Sequence, residues 1–443
     1  MRKNTFHLVS LGCAKNTVDS DSMAQLLLRD GYLSTDEPGN AEVLIVNTCG
    51  FVGPAKEESL RVLNELSGQK SNGQTLIAAG CLTQRYGAEV ADKVPGIDGI
   101  LGTRRWMDIV QVVRELRNHE SPKPLYHLPD EARVGTDEHN TLRAAVMGGS
   151  AYLKIADGCR RPCAFCAIPL IKGTAVSRPM AVILDEARRL RDAGVRELVL
   201  IAQDTTDYGH DLGMKDGLGT LLEELIARVP ELDWIRILYA YPGYVTDRLI
   251  EVMAGNKQIL PYLDMPLQHA HPKALLRMRR PANVDWVHRT IGKMRAAMPE
   301  LAMRTTFIVG YPGETEEEYE ALLDFVKEMR FDRVGAFQFS FEEGTSSEPL
   351  GDPVPAPVKQ ERYERLMELQ QGISLQINQS WVGKTLEVLV EGFDNGISIG
   401  RSYRDAPEID GLVLIEGKAE VGEIIPVKIT GAMSYDLTGV LIK

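Results

Sequence analysis

Gly158-Cys159-Arg160-Arg161-Pro162-Cys163-Ala164-Phe165-Cys166 puts three thiols into eight residues, spaced C-x₃-C-x₂-C. That spacing lets one short loop wrap three corners of a cubane iron–sulfur cluster, whose usual ligands are four Cys thiolates. Three ligands leave one iron open to a small chelating molecule. The competing reading is a zinc site, usually four-coordinate and built from paired C-x₂-C knuckles. No second knuckle follows in this chain.

Working outward, the loop is fed by the strand-like run Ala151–Ala156. Further strands are expected at Glu197–Ala202, Trp234–Tyr239, Tyr262–Met265, Met303–Val309 and Val334–Phe339. Helical patterns separate them at Val182–Ala193, Leu218–Val229, Thr246–Ala254, Val284–Met298 and Glu316–Met329. Six β/α units predict a partial (β/α)6 barrel with an open side, since a full barrel has eight, and its active site belongs at the carboxyl ends of the strands. Gly310-Tyr311-Pro312-Gly313-Glu314 follows the fifth strand, and glycines let such a loop approach a ligand closely. Gln268 closes the fourth strand and is a candidate for touching cofactor or substrate. His269 and His271 have no cysteine or carboxylate near them in sequence, so a hydrogen-bonding or surface role outweighs a metal role. Leu275, Leu276 and Met278 read as helix core.

The N-terminal third alternates short apolar strands with helices. Phe6–Val9, Val43–Val46 and Leu76–Ala79 read as strands, with helices at Val18–Arg29 and Pro54–Leu66. This pattern indicates a doubly wound parallel sheet. Each strand runs directly into a cysteine: Cys13, Cys49 and Cys81. The carboxyl ends of such strands form the ligand crevice, so the three thiols are expected to share a second cluster at one rim. Three inert buried cysteines are the competing reading.

Asn118 to Gly149 lacks periodicity and carries Pro122, Pro124 and Pro129, which suggests a wandering connection. Asp352–Val358 holds three prolines and marks another break. A long helix is expected over Gln360–Gln379. Five short strands follow, at Leu386–Val390, Ile397–Tyr403, Leu412–Glu416, Ile424–Thr430 and Leu437–Ile442. They suggest a small antiparallel β-barrel of OB-like size. The expected domains span residues 5–117, 141–376 and 377–443.

The chain has 443 residues, with 50 Lys and Arg against 62 Asp and Glu, a net charge of −12. An acidic chain is not built to coat nucleic acid. From Ile377 to Lys443 there are six basic and ten acidic residues, a net of −4. A module that neutralises phosphates should be basic, whereas a basic protein partner complements an acidic barrel. Glu416, Glu420 and Glu423 are expected on the docking side. No run approaches the ~18 apolar residues of a membrane span. Met1-Arg2-Lys3-Asn4-Thr5 leads into a strand with no signal peptide. Six cysteines in so long a chain do not suggest a disulfide scaffold, so a cytoplasmic location is expected.

The C-x₃-C-x₂-C loop resembles that of the radical S-adenosylmethionine enzymes. Asn47-Thr48-Cys49-Gly50-Phe51 and Gly80-Cys81-Leu82-Thr83-Gln84-Arg85-Tyr86 resemble the N-terminal domain of methylthiotransferases, and the C-terminal module resembles the TRAM domain, which in relatives binds RNA. From about residue 5 to its end the chain is thus identified as a member of the radical S-adenosylmethionine methylthiotransferase family. Gln203-Asp204-Thr205-Thr206-Asp207-Tyr208, Gln268-His269-Ala270 and Glu342-Glu343-Gly344-Thr345 look like its ribosomal protein S-twelve branch.

This resemblance implies two [4Fe-4S] clusters, one on Cys159, Cys163 and Cys166 and one on Cys13, Cys49 and Cys81. It implies S-adenosyl-L-methionine at the open iron of the first, with Phe165, Gln268, Gly310 and Gly313 as cofactor contacts. No catalytic residue beyond the cluster ligands is implied. The implied reaction is methylthiolation of the β-carbon of an aspartate in a basic small-subunit ribosomal protein, supported by an electron donor and a sulfur donor. The alternatives are methylthiolation of a tRNA adenosine and a non-enzymatic RNA-binding scaffold with structural metal; the acidic barrel favours neither.

Overall fold

The computed structural model describes residues 4–118, 123–131, 133–135 and 137–442. Met1 to Lys3 of the expected leaderless start, Pro122 of the connection and Lys443 of the barrel's charge count lie outside the described residues. The chain divides into two units. One runs through Ala145 and takes in Ala156–Arg178 and Ser340–Glu348; the other holds Val146–Ile155, Pro179–Phe339 and the chain from Pro349 onward. The cysteine loop, within Ala156–Arg178, packs as part of the first unit.

In the first unit the elements are β1 (Thr5–Ser10), α1 (Ala14–Arg29), β2 (Leu33–Ser34), β3 (Val43–Thr48), α2 (Gly53–Gln69), β4 (Thr75–Gly80), α3 (Cys81–Lys93), β5 (Gly99–Gly102), α4 (Ile109–Leu116) and β6 (Leu125–His127). The six strands form one parallel sheet in the order β2-β1-β3-β4-β5-β6. Alternate residues serve opposite faces. Val43, Ile45, Ile77 and Ala79 pack with Met23 and Leu27 of α1 and Val112 of α4. Leu44, Val46, Leu76 and Ala78 pack with Leu63 of α2 and Val90 of α3. Covering both faces is what makes these strands continuously apolar. The helices begin earlier than periodicity suggests, because Cys13 is itself the N-cap of α1 and Cys81 the first residue of α3. The supposed wandering connection also contributes β6 to the sheet edge.

Next come β7 (Ala144–Met147) and β8 (Ser150–Lys154), then β9 (Ala156–Asp157), α5 (Ile168–Lys172) and β10 (Val176–Ser177). The second unit continues with α6 (Met180–Asp192), β11 (Glu197–Ile201), α7 (Gly217–Arg228), β12 (Trp234–Ile237), α8 (Asp247–Gly255), β13 (Ile259–Asp264), α9 (Pro272–Arg277), α10 (Val284–Ala297), β14 (Ala302–Val309), α11 (Glu316–Met329), β15 (Arg333–Gln338) and α12 (Ala356–Gln379). Strands β8 and β11 to β15 pair in parallel in chain order, with β7 added at the β8 edge. This is the expected six-unit open barrel. Leu275 and Met278 are buried as expected, but Leu276 is 66% exposed and is not core.

The C-terminal module is a closed five-stranded barrel of β16 (Thr385–Asp394), β17 (Ile397–Ser402), β18 (Val413–Glu416), β19 (Ile424–Ala432) and β20 (Leu437–Leu441). Four of its pairings are antiparallel and β18–β20 is parallel. Its segment Arg401–Asp410 is pinned to the amino ends of the large sheet's strands. Arg404 bonds Asp332 at 2.8 Å, Arg333 bonds Asp405 at 2.6 Å, and the Tyr152 hydroxyl donates to Glu408 at 3.0 Å. No helix among the described residues is long and apolar enough to cross a membrane.

Candidate active site

The first unit gathers Cys13, Cys49 and Cys81 by strand register. Ser10 pairs with Asn47, and Thr48 with Gly80, so β1, β3 and β4 end in step and each turns at once into its cysteine. A Cβ added to Gly12 would stand 2.8 Å from Cβ and 3.0 Å from Sγ of Cys49. Gly12 has φ +96°, so only glycine suits both the backbone and the space there. A Cβ added to Gly50 would stand 3.1 Å from the carbonyl carbon of Cys81. The three turns therefore touch.

Polar side chains hold these turns. Asn16 donates to the carbonyls of Leu11 at 2.6 Å and Asn47 at 3.1 Å. The Ser59 hydroxyl accepts from the Cys49 N–H and donates to the Cys49 carbonyl, both at 3.0 Å. Thr83 donates to the Gly80 and Leu101 carbonyls. Burial pushes the Cys81 thiol up to about 12 against the pull of the Lys172 ammonium. Burial likewise raises Cys49. Cys13 is exposed at its edge, yet the chain crowding its sulfur would raise the thiol; Lys15, the Asn16 N–H and Lys172 outweigh that and lower it.

The second set of thiols hangs on a pinched loop in the same unit. β9 and β10 pair antiparallel at its base, and the Cys159 N–H donates to the Gly173 carbonyl at 3.0 Å. A turn closes from the Cys166 N–H to the Cys163 carbonyl at 3.2 Å. Phe165 is half-buried beside Cys166. None of the six cysteines forms a disulfide. Among the described residues no three His, Cys, Asp or Glu side chains close around a single ion.

The remaining expected contacts fall in the second unit. Gln268 has φ +75°, unusual for a side-chain-bearing residue, and is held there because its N–H donates to Thr306 and its carbonyl accepts from Ile308, both at 2.8 Å. Gly310, at φ +70°, donates its N–H to Glu314 at 2.7 Å. Glu314 also meets Arg362 at 2.5 Å and His269 Nε2 at 3.1 Å. His269 Nδ1 accepts from the His271 N–H, so in the neutral ring the proton is on Nε2 and points at Glu314. The carboxylate that sequence proximity lacked is thus supplied by the fold, and His269 has the expected hydrogen-bonding role. Just past β11 the buried Oε1 of Gln203 has no hydrogen-bond partner among the described residues.

Three comparisons bear on this geometry. Residues 5–102 match the uncharacterized protein family UPF0004, residues 153–326 the radical SAM superfamily and residues 382–442 the TRAM domain. The chain is 47% identical to the ribosomal protein uS12 methylthiotransferase RimO of Roseiflexus sp. (strain RS-1), across 99% of this chain and 97% of the relative. It is 49% identical to the protein of that name from Chloroflexus aurantiacus, across 98% and 99%. The chain belongs to the uS12 methylthiotransferase family. Among solved structures it shares its fold with the radical S-adenosylmethionine methyltransferase TsrM from Kitasatospora setae, at a TM-score of 0.58 and 12% identity over 87% of this chain and 77% of that one.

As a uS12 methylthiotransferase family member, the chain is a radical SAM methylthiotransferase, a class that works with an iron–sulfur cluster and S-adenosylmethionine. Sequence reading did not find the buried charges around its cysteine turns. Glu342 accepts from Lys56 at 2.7 Å and Arg85 at 2.6 Å, tying Ser340–Glu348 to the helices that follow Cys49 and Cys81. The Ser347 N–H reaches the Ala164 carbonyl of the cysteine loop at 2.9 Å. Asp19, Arg143, Asp157 and Lys172 form a second network. The available signal was a charge inside an apolar frame, such as Lys172 after Ile168-Pro169-Leu170-Ile171.

Proposed function

We propose that this chain methylthiolates the β-carbon of an aspartate of ribosomal protein uS12, with one four-iron cluster on each set of cysteines. The observation that carries the reading is the meeting of Cys13, Cys49 and Cys81 at one rim. A radical SAM enzyme needs only its own loop for radical generation; a second set of three thiols, again one short of four, supports a second cluster with an iron free to hold sulfur. When bound, the clusters and S-adenosylmethionine supply an electron, a 5′-deoxyadenosyl radical, sulfur and a methyl group, which no acid or base side chain offers an unactivated carbon.

The chain's own residues position and shield. Cys159, Cys163 and Cys166 would hold the cluster that serves S-adenosylmethionine, with Phe165 beside them as an apolar wall. In the second unit Gln268, Gly310 and Gly313 would be the cofactor contacts that the family resemblance implies, and Glu314 holds the glycine loop through the Gly310 N–H. On the C-terminal barrel Arg401 and Arg404 are buried in ion pairs, while Glu416, Glu420 and Glu423 are exposed. Burying these two arginines, while Lys384, Lys418 and Lys428 stay exposed, leaves the barrel surface with more acidic than basic side chains, which suits a basic ribosomal protein better than phosphates. The enzyme works in the cytoplasm, with an electron donor and a sulfur donor.

The test is mass spectrometry after anaerobic turnover by the reconstituted enzyme, with uS12 and tRNA offered side by side. The expected product is methylthiolated uS12 with unmodified tRNA. Methylthioadenosine in tRNA with unmodified uS12 overturns the substrate assignment and leaves the chemistry.

A further inference from the structure

Four buried charges join the two cysteine sets of the first unit. Asp19 lies on α1, six residues past Cys13; Asp157 stands two residues before Cys159; Lys172 ends α5, six residues past Cys166; Arg143 leads into β7. Lys172 Nζ donates to Asp19 Oδ2 at 3.0 Å and to Asp157 Oδ1 at 2.9 Å. Arg143 Nη2 reaches Asp19 Oδ1 and, at 3.2 Å, Asp157 Oδ2. The cations and anions alternate around a closed ring in which no side chain is more than 10% exposed. The Arg143 guanidinium also lies 4.2 Å over the Trp106 ring.

Such a ring is a poor device for stability alone, because apolar groups of similar volume are often as stable as a buried ion network. What the ring does supply is fixed spacing: one carboxylate is rooted beside the rim of Cys13, Cys49 and Cys81, the other at the base of the Cys159–Cys166 loop, and one ammonium grips both. We propose that Lys172 is a positioning residue for both clusters. It fixes their separation through Asp19 and Asp157, and it gives the cluster of the rim a positive charge borne by the other cluster's loop. A positive charge held close in a low-dielectric site favours the reduced, more negative form of a thiolate-bound cluster, so it raises the reduction potential.

The proposal rests on the two-cluster reading, and its test separates the two. Lys172→Met leaves two buried carboxylates facing one guanidinium, whereas Lys172→Met with Asp19→Asn leaves a neutral Arg143–Asp157 pair and protects the fold. Lys172→Arg keeps the charge. Each full-length variant is reconstituted anaerobically and read by iron content, by redox-poised electron paramagnetic resonance and by dipolar coupling between the reduced clusters. The apo-protein thermal midpoint serves as the folding control. The expected result is an apo midpoint near that of the unaltered chain and altered coupling or lost iron at the rim in the double variant, a lower rim potential in Lys172→Met, which loses the positive charge alone, and recovery of both in Lys172→Arg. About eight irons with unchanged coupling in the double variant, together with an unchanged rim potential in Lys172→Met, overturns the role of Lys172 alone. A collapsed apo midpoint in both the double variant and Lys172→Arg also overturns it, because the ring then serves only folding. About four irons in the unaltered chain overturns the two-cluster reading itself.

Discussion

Glu197, the first residue of β11, and Arg401 of the C-terminal barrel meet at 2.7 Å with no more than 1% of either side chain exposed. The other Glu197 oxygen takes Arg236 Nε at 2.7 Å, and Arg401 also donates to the Ser150 hydroxyl at 2.8 Å. The barrel is therefore bolted to the amino end of the large sheet, leaving that sheet's carboxyl end, where barrels of this kind place chemistry, clear of these contacts.

Arg401→Ala should destabilise the apo protein by about 3–5 kcal/mol, because it strands a buried carboxylate with one partner fewer. Burial would raise Glu197, but Arg236 and Arg401 outweigh it and hold the carboxyl at about 2, below its usual 4.5. A depressed acid stabilises the fold fully above its unfolded value, and that contribution fades as pH falls from 4.5 toward 2. Thermal midpoints measured across this range should drop more steeply for the unaltered apo chain than for Glu197→Gln. Parallel profiles would remove Glu197 as the group responsible.

Anaerobic reconstitution should load about eight irons per chain, and replacing either set of three cysteines should leave about four. The sets should differ in function. Cys163→Ala should abolish 5′-deoxyadenosine formation under a strong reductant. Cys49→Ala should retain some of that cleavage while losing methylthio product. Methylthiolated uS12 from Cys49→Ala would show that the rim is not the sulfur site.

Glu314 holds the Gly310 N–H with a charged acceptor, a hydrogen bond of a class worth ~1.5–3 kcal/mol. Glu314→Gln should weaken S-adenosylmethionine binding by about tenfold, the equivalent of ~1.4 kcal/mol, without changing iron content. Equilibrium dialysis on the reconstituted enzyme reads both quantities. Unchanged affinity would mean that the glycine loop keeps its shape without this carboxylate.

Reversing Glu416, Glu420 and Glu423 to Lys should weaken uS12 binding and flatten its salt dependence, while S-adenosylmethionine cleavage persists. All three are exposed, so the fold should tolerate the change. Binding assays at two ionic strengths decide it: equal affinity for the two forms would exclude this face as the docking surface.

The sequence was most legible where chemistry and periodicity were local. The C-x₃-C-x₂-C loop carries its meaning in its own spacing. Strand–helix alternation was enough for a doubly wound sheet and six further β/α units, because burial on both faces forces continuous apolar strands. Element ends were less legible: α1 starts at Ala14 since Cys13 caps it, a detail of backbone geometry rather than of hydrophobic period.

Only the tertiary structure decided how distant residues meet. Cys13, Cys49 and Cys81 lie more than thirty residues apart, and parallel register, not spacing, brings their turns into contact. Lys172 and Glu342 gain their partners only when remote segments pack into one unit. The barrel's net charge was readable by counting, but which charges reach solvent was not, because Arg401 and Arg404 are consumed by Glu197 and Asp332. Local spacing is written in the chain; the pairing of buried charges depends on long-range geometry, which no stretch of sequence contains by itself.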